Sequence, residues 1–142
     1  MPSQRKSRNL EDQLCASFFK SVQSLLMYNQ IVNPETFKIW HNDNGQRAGR
    51  DKTARMIAGA RAKRMGVMRG LLDYETIWRD LDGVRKHGFL EAKVGSNGLT
   101  DEQEDFFAFC NEENIPCAMF KTVSSGLHIM QQWGIIKPTA IF

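Results

Sequence analysis

The chain has 142 residues, one domain's worth on the usual scale of roughly 100–200 residues per domain and enough to bury a core of its own. Hydrophobic residues make up 42% and charged residues 25%, ordinary globular values that argue against a disordered, collagenous or coiled-coil chain. No apolar run approaches the roughly 20 residues of a membrane span, and Met1 to Arg8 is polar and basic with no signal-peptide pattern. Cys15, Cys110 and Cys117 cannot all pair, and none has zinc-type spacing with a histidine. The expectation is a reduced, cytoplasmic protein with no membrane partner.

The net charge of +3 conceals an asymmetry. Residues 1–70 hold 13 Lys/Arg against 5 Asp/Glu, and residues 71–142 hold 6 against 11, so the halves carry +8 and −5. A basic half invites a polyanion; an acidic half can hold metal ions or simply stay soluble.

Neither repeats nor low-complexity linkers interrupt the chain. We expect a flexible N-terminus over 1–8, one domain over 9–134 and a C-terminal tail over 135–142. Asn9 is a candidate cap for a helix whose apolar residues Leu10, Leu14, Phe18, Val22, Leu25 and Leu26 recur at three- and four-residue spacing. Asn33-Pro34 ends it. Thr36 to His41 alternates as a short strand, and Asn42-Asp43-Asn44-Gly45 is a turn signal. Asp51 to Met65 reads as a helix with a small apolar stripe (Ala54, Ile57, Ala58, Ala62), stopped by Gly66. Leu71 to Trp78 and Phe89 to Val94 are strand candidates separated by a turn at Asp80-Leu81-Asp82-Gly83. Thr100 with Gln103 forms a capping-box pattern at the start of the next helix. Pro116 to Val123 is a further strand, and Ser124 to Trp133 a last helix ending at Gly134. The predicted fold class is α/β, a mixed sheet flanked by helices, with a parallel pair around the third helix and an antiparallel pair across Asp82-Gly83.

Asp73 and the Glu91-Ala92-Lys93 tripeptide are the candidates for chemistry. Side chains alternate along a strand, so Glu91 and Lys93 share one face while Leu90 and Ala92 take the other. If the two strands are neighbours, Asp73 and Glu91 converge on one edge of the sheet with Lys93 beside them. Two carboxylates, a backbone carbonyl and water suit magnesium or manganese, which activates water and stabilises charge on a phosphoryl oxygen. The plainer account is a solvated strand face and a turn aspartate, because Asp followed by a distant Glu-x-Lys is common by chance. Context comes from the preceding stretch. Arg47, Arg50, Lys52, Arg55, Arg61, Lys63, Arg64 and Arg69 are accompanied by a single acid, Asp51. A soluble helix face normally mixes both signs; a nearly single-sign stretch favours phosphate contact. It holds no aromatic residue, so base stacking on a single strand is not indicated there.

Taken in order, Asn44-Gly45, Arg47 and the basic helix, Met65-Gly66-Val67-Met68-Arg69-Gly70-Leu71-Leu72-Asp73, Phe89-Leu90-Glu91-Ala92-Lys93 and Leu99-Thr100-Asp101-Glu102-Gln103 resemble the virus-type replication-repair nuclease (VRR-NUC) domain. That domain belongs to the PD-(D/E)xK nuclease superfamily, with its restriction-endonuclease-like core. The resemblance spans roughly residues 9–134, and the strand and helix from Cys117 to Trp133 also match. It implies that Asp73 and Glu91 ligate Mg2+ or Mn2+, with the carbonyl of Ala92 completing the site and Glu11 on the first helix acting through water. Lys93 corresponds to the catalytic lysine and Gln103 to the glutamine near the metal. DNA contact is implied for Asn44, Arg47, Arg50, Lys52, Arg55, Arg61, Lys63, Arg64 and Arg69. The family commonly has Pro before the aspartate and this chain has Leu72; Pro fixes backbone but supplies no ligand.

Members made of this domain alone resemble homodimeric resolvases of Holliday (four-way) junctions, in which a twofold axis relates two active sites that nick opposing strands. The expected activity is therefore a metal-dependent endonuclease on branched DNA with no organic cofactor, reading shape and charge rather than bases. The alternatives are a flap or fork nuclease on the same fold, or a non-catalytic DNA-binding recombination module. Among other candidates, His41 can touch DNA or line the site but reads more simply as structural. Ser124-Ser125 reads as a helix start, and the cysteines as core. Phe106 and Phe107, being consecutive, are not both expected on one core face.

Overall fold

The computed structural model describes residues 4–42, 52–66 and 71–142. α1 (Gln4–Met27) buries one stripe: Cys15, Phe18 and Val22 are inside, Leu14 and Leu25 are half-buried, and Leu10 and Leu26 are exposed. The helix begins at Gln4, so Asn9 lies within it rather than capping it, and residues 4–8 are helical rather than a flexible lead-in. It ends where Asn29 adopts φ 59°. There the Gln30 N–H donates to the Leu25 carbonyl at 2.8 Å and the Asn29 N–H to that of Leu26 at 3.3 Å, a left-handed cap that satisfies two orphan carbonyls. The same device closes α3 (Asp101–Glu112) at Asn114 and α4 (Val123–Gln132) at Gly134. In each case the next residue, Ile115 or Ile135, is turned back into the interior.

Four strands form one sheet in the order β1 (Lys38–His41), β2 (Tyr74–Arg79), β3 (Arg85–Ala92), β4 (Cys117–Phe120). β1 and β3 pair antiparallel with β2, and β4 pairs parallel with β3 after the α3 crossover, the expected mixed sheet. β3 starts at Arg85 rather than Phe89: Arg85, Lys86 and His87 are exposed, yet they pair with Arg79, Trp78 and Ile77 across the hairpin. Their polarity conceals them from a search for apolar alternation. The turn is tied by the Asp80 carboxylate, whose Oδ1 accepts from the Asp82 and Val84 N–H groups at 3.0 and 2.9 Å.

The alternation of β2 and β3 divides the interior into two layers. Tyr74, Trp78, Leu90 and Ala92 face α1 and α4, where they join Phe18, Val22, Phe120, Leu127 and Met130. Phe89 faces α3, joining Leu72 and Cys110. Phe106 and Phe107 both pack against this second cluster, because a 100° step lets neighbours on a helix flank one groove; Phe109 is the exposed one. Ile135 and Ile136, at the start of the expected tail, are core residues, with Ile136 bridged to Ile31. α2 (Lys52–Arg64) exposes Ile57, a member of its expected apolar stripe, along with Met56. Among the described residues no helix is long and apolar enough to cross a membrane.

α4 lies close enough to α1 and β4 to require a glycine. A Cβ on Gly126 would stand 2.9 Å from Phe18 Cε2 and 3.0 Å from Phe120 Cδ2, atoms of two fully buried rings whose centroids are 4.6 Å apart. Helix propensity alone favours alanine over glycine by about 1 kcal/mol, so packing and propensity oppose each other here. Gly126→Ala is expected to destabilise the protein by about 1–3 kcal/mol through overpacking; an unchanged or raised midpoint in denaturant unfolding would show that the rings yield.

Candidate metal centre

β2 and β3 are paired only as far as Tyr74 and Leu90. Beyond that pair the two strands part. β2 continues against β1, where the Asn42 N–H donates to the Asp73 carbonyl at 2.7 Å, and β3 continues against β4, where the Lys93 N–H donates to the Phe120 carbonyl at 3.0 Å. The backbone groups left facing each other across the fork are satisfied by carboxylates. The Asp73 N–H donates to Glu91 Oε2 at 3.0 Å, and the Ala92 N–H donates to Asp73 Oδ2 at 2.9 Å. Each acid thus closes the strand opposite it, and the two side chains are locked together by main chain, without a surface rotamer's freedom.

Glu91 and Lys93 are buried, at 3% and 8% exposure, and the Lys93 ammonium lies 3.9 Å from Glu91 Oε1. Burial, then the adjacent Asp73 carboxylate, push the Glu91 carboxyl up to about 8, against the pull of Lys93. Two carboxylates face one ammonium, so this pocket carries surplus negative charge that a proton or a cation must balance. The donor set fits a hard divalent ion: two fixed carboxylates on adjacent strands, in a place where positive charge is lacking. Asp73, Glu91, Ala92 and Lys93 are thus brought together at the fork.

The remaining expected residues divide. Glu11 is half-buried on α1, one turn before Cys15, while Asp12 is exposed. Gln103 is buried, and its Oε1 accepts from the Thr100 N–H at 3.0 Å while its own N–H donates to Thr100 Oγ1 at 3.2 Å. It thus makes the capping box, and among the described residues no hydrogen bond ties it to Asp73, Glu91 or Lys93. Lys52, Arg55, Arg61, Lys63 and Arg64 are all exposed on α2. Asn44, Arg47, Arg50 and Arg69 lie outside the described residues.

His41, which the sequence allows at the site but which reads more simply as structural, and Cys15, expected in the core, both lie beside Asp73. His41 Nε2 stands 3.7 Å from Asp73 Oδ1, with its ring edge-on to Tyr74 at 5.0 Å. The Cys15 sulfur lies beside both, within 4.8 Å of a His41 nitrogen and an Asp73 oxygen, and burial followed by the Asp73 charge pushes its thiol up to about 12. His41 pairs with Tyr74 in the antiparallel β1–β2 register, a contact between residues distant in sequence.

The raised Glu91 carboxyl gives a signed expectation. Above its ordinary value of 4.5 the unfolded chain loses this proton while the folded chain keeps it, so its contribution to stability falls as pH rises from 4.5 to about 8. A divalent ion held between the two carboxylates would displace the proton. Mn2+ should therefore raise the thermal midpoint more at pH 8.5 than at pH 6, with release approaching about one proton per ion at pH 7 by calorimetry in buffers of differing ionisation heat. Asp73→Asn retains an acceptor for the Ala92 N–H and should fold, yet lose the Mn2+ response. Equal Mn2+ stabilisation in the variant would place the ion elsewhere.

No protein-family model matches the chain, no curated protein matches it, and no solved structure does.

Proposed function

We propose that the protein is a metal-dependent endodeoxyribonuclease of the VRR-NUC type, with a PD-(D/E)xK core, that acts on branched DNA as a four-way-junction resolvase. The observation that carries this reading is the Asp73–Glu91 interlock at the fork of β2 and β3, with the buried Lys93 ammonium at its side. A protein that only binds DNA has no need of a buried glutamate held against a half-buried aspartate beside a buried lysine, an arrangement that costs stability at neutral pH.

In this reading Asp73, Glu91 and the Ala92 carbonyl hold Mg2+ or Mn2+, which supplies an activated water and charge stabilisation when bound. Hydrolysis adds water to phosphorus and breaks one phosphorus–oxygen bond, and negative charge grows on the phosphoryl oxygens. Lys93 is suited to offset that charge. Its stem is buried, its ammonium is restrained by Glu91, and a fixed cation in a desolvated site stabilises charge more than a mobile one in water. Glu11, half-buried on α1, is assigned in this reading to orient solvent at the metal, a role that comes from the resemblance. The exposed cations of α2 contribute phosphate contacts, giving affinity without base readout. The preference for a four-way junction and the homodimer that would pair two nicks come from the resemblance and belong to the same proposal.

Two measurements test it. Lys93→Ala should lower single-turnover cleavage by about 10²–10³-fold while DNA affinity stays within a few-fold; loss of binding with it would make Lys93 a phosphate contact instead. Replacing Lys52, Arg61 and Lys63 by alanine should reduce the slope of log affinity against log salt by about 0.9 for each phosphate contact removed. An unchanged slope would remove α2 from the interface.

A further inference from the structure

Sequence spacing offers no zinc motif, yet the fold gathers three unlike ligands. The Cys15 sulfur from α1, a ring nitrogen of His41 at the end of β1 and a carboxylate oxygen of Asp73 at the entry to β2 all lie within 4.8 Å of one another. We propose that these three side chains form a binding site for a thiophilic divalent metal of the zinc class, separate from the Asp73–Glu91 pair but sharing Asp73 with it.

Zinc takes cysteine sulfur at about 2.3 Å, imidazole nitrogen at about 2.0–2.1 Å and carboxylate oxygen at about 2.0–2.2 Å; in a tetrahedron these lengths set ligand atoms roughly 3.3–3.8 Å apart. His41 Nε2 and Asp73 Oδ1 are already 3.7 Å apart, and the Cys15 sulfur lies within 4.8 Å of both residues, so side chains must close at most about 1 Å to reach these spacings, with a fourth position left for water. The ligands are supported from behind. The Tyr74 hydroxyl donates to the Cys15 carbonyl at 3.0 Å, the Tyr74 ring stands against the His41 imidazole, and the Ala92 N–H holds Asp73 Oδ2 so that Oδ1 faces the histidine. Such outer partners fix ligand orientation at metal sites. His41 is exposed, giving an ion its path inward, whereas Cys15 is buried.

The ligand chemistry separates the two sites. Thiolate and imidazole select zinc-like ions, whereas the all-oxygen pair selects magnesium or manganese. On binding, the Cys15 S–H bond breaks, its proton passes to solvent and the sulfur lone pair is donated to the metal, with no change in oxidation state. None of this requires that the protein cleave DNA.

Cobalt(II), a spectroscopic substitute for zinc, tests the site in the full chain with its thiols reduced. Titration should produce a near-ultraviolet thiolate-to-cobalt charge-transfer band saturating at one equivalent per chain. The band should vanish in Cys15→Ala and persist in Glu91→Gln, which removes a ligand of the carboxylate pair only. His41→Ala, at an exposed position, should weaken cobalt binding at least about tenfold and carries the test if Cys15→Ala does not fold. Absence of the band in the wild type, its survival in Cys15→Ala, or unchanged affinity in His41→Ala would each overturn the site. Failure of the nuclease reading would appear in DNA cleavage and leave these spectra untouched.

Discussion

The exchange of carboxylates for backbone across the parting strands β2 and β3 is the constraint on which the rest of the structure depends. A sheet that forks exposes N–H groups that no longer meet a carbonyl, and an unpaired buried N–H is costly. Here Asp73 and Glu91 each accept one such group from the opposite strand. The same bonds that repair the fork hold two carboxyl groups together, Glu91 buried and Asp73 half-buried, so that ionising both is costly. The fold therefore carries a standing electrostatic debt at this point, which Lys93 offsets only in part.

Everything around the fork serves to keep it open and fixed. β1 takes up Asp73 through Asn42, whose side-chain amide also donates to the Leu72 carbonyl at 2.9 Å. β4 takes up Lys93 through Phe120. Leu72 and Phe89 anchor the α3 side of the sheet, and Tyr74 and Leu90 the α1 side, so the acids sit between two packed layers. α1 then reaches the open edge with Cys15, whose sulfur lies near Asp73 and His41. This is why a carboxylate pair that would be ordinary on a surface becomes distinctive here: neither acid can turn away from the other without giving up a backbone hydrogen bond.

Much of this was legible in the sequence. The element order, the hairpin at Asp80-Leu81-Asp82-Gly83, the capping box at Thr100 and Gln103, and the mixed sheet follow from local rules of periodicity and turn chemistry. The face shared by Glu91 and Lys93 follows from strand alternation once Leu90 is placed in the core. What escaped was set by tertiary contact. Asn9 is a good cap in isolation, but the helix extends through it to Gln4. Arg85 to His87 form strand because the hairpin register enrols them, not because they are apolar. His41 and Cys15 join Asp73 through the packing of β1 and α1, and no spacing along the chain encodes that meeting. Gln103 carried two readings; the capping box is the one its hydrogen bonds make.

The proposed activity concentrates in one claim, that this fork is a hydrolytic metal site for branched DNA. The most direct measurement is cleavage of labelled four-way junction, flap, splayed fork, linear duplex and single strand by the wild-type protein, with magnesium, with manganese and with chelator. A four-way-junction resolvase leaves paired, symmetric nicks that chelator abolishes. Tight DNA binding with no metal-dependent cutting of any substrate would contradict the claim.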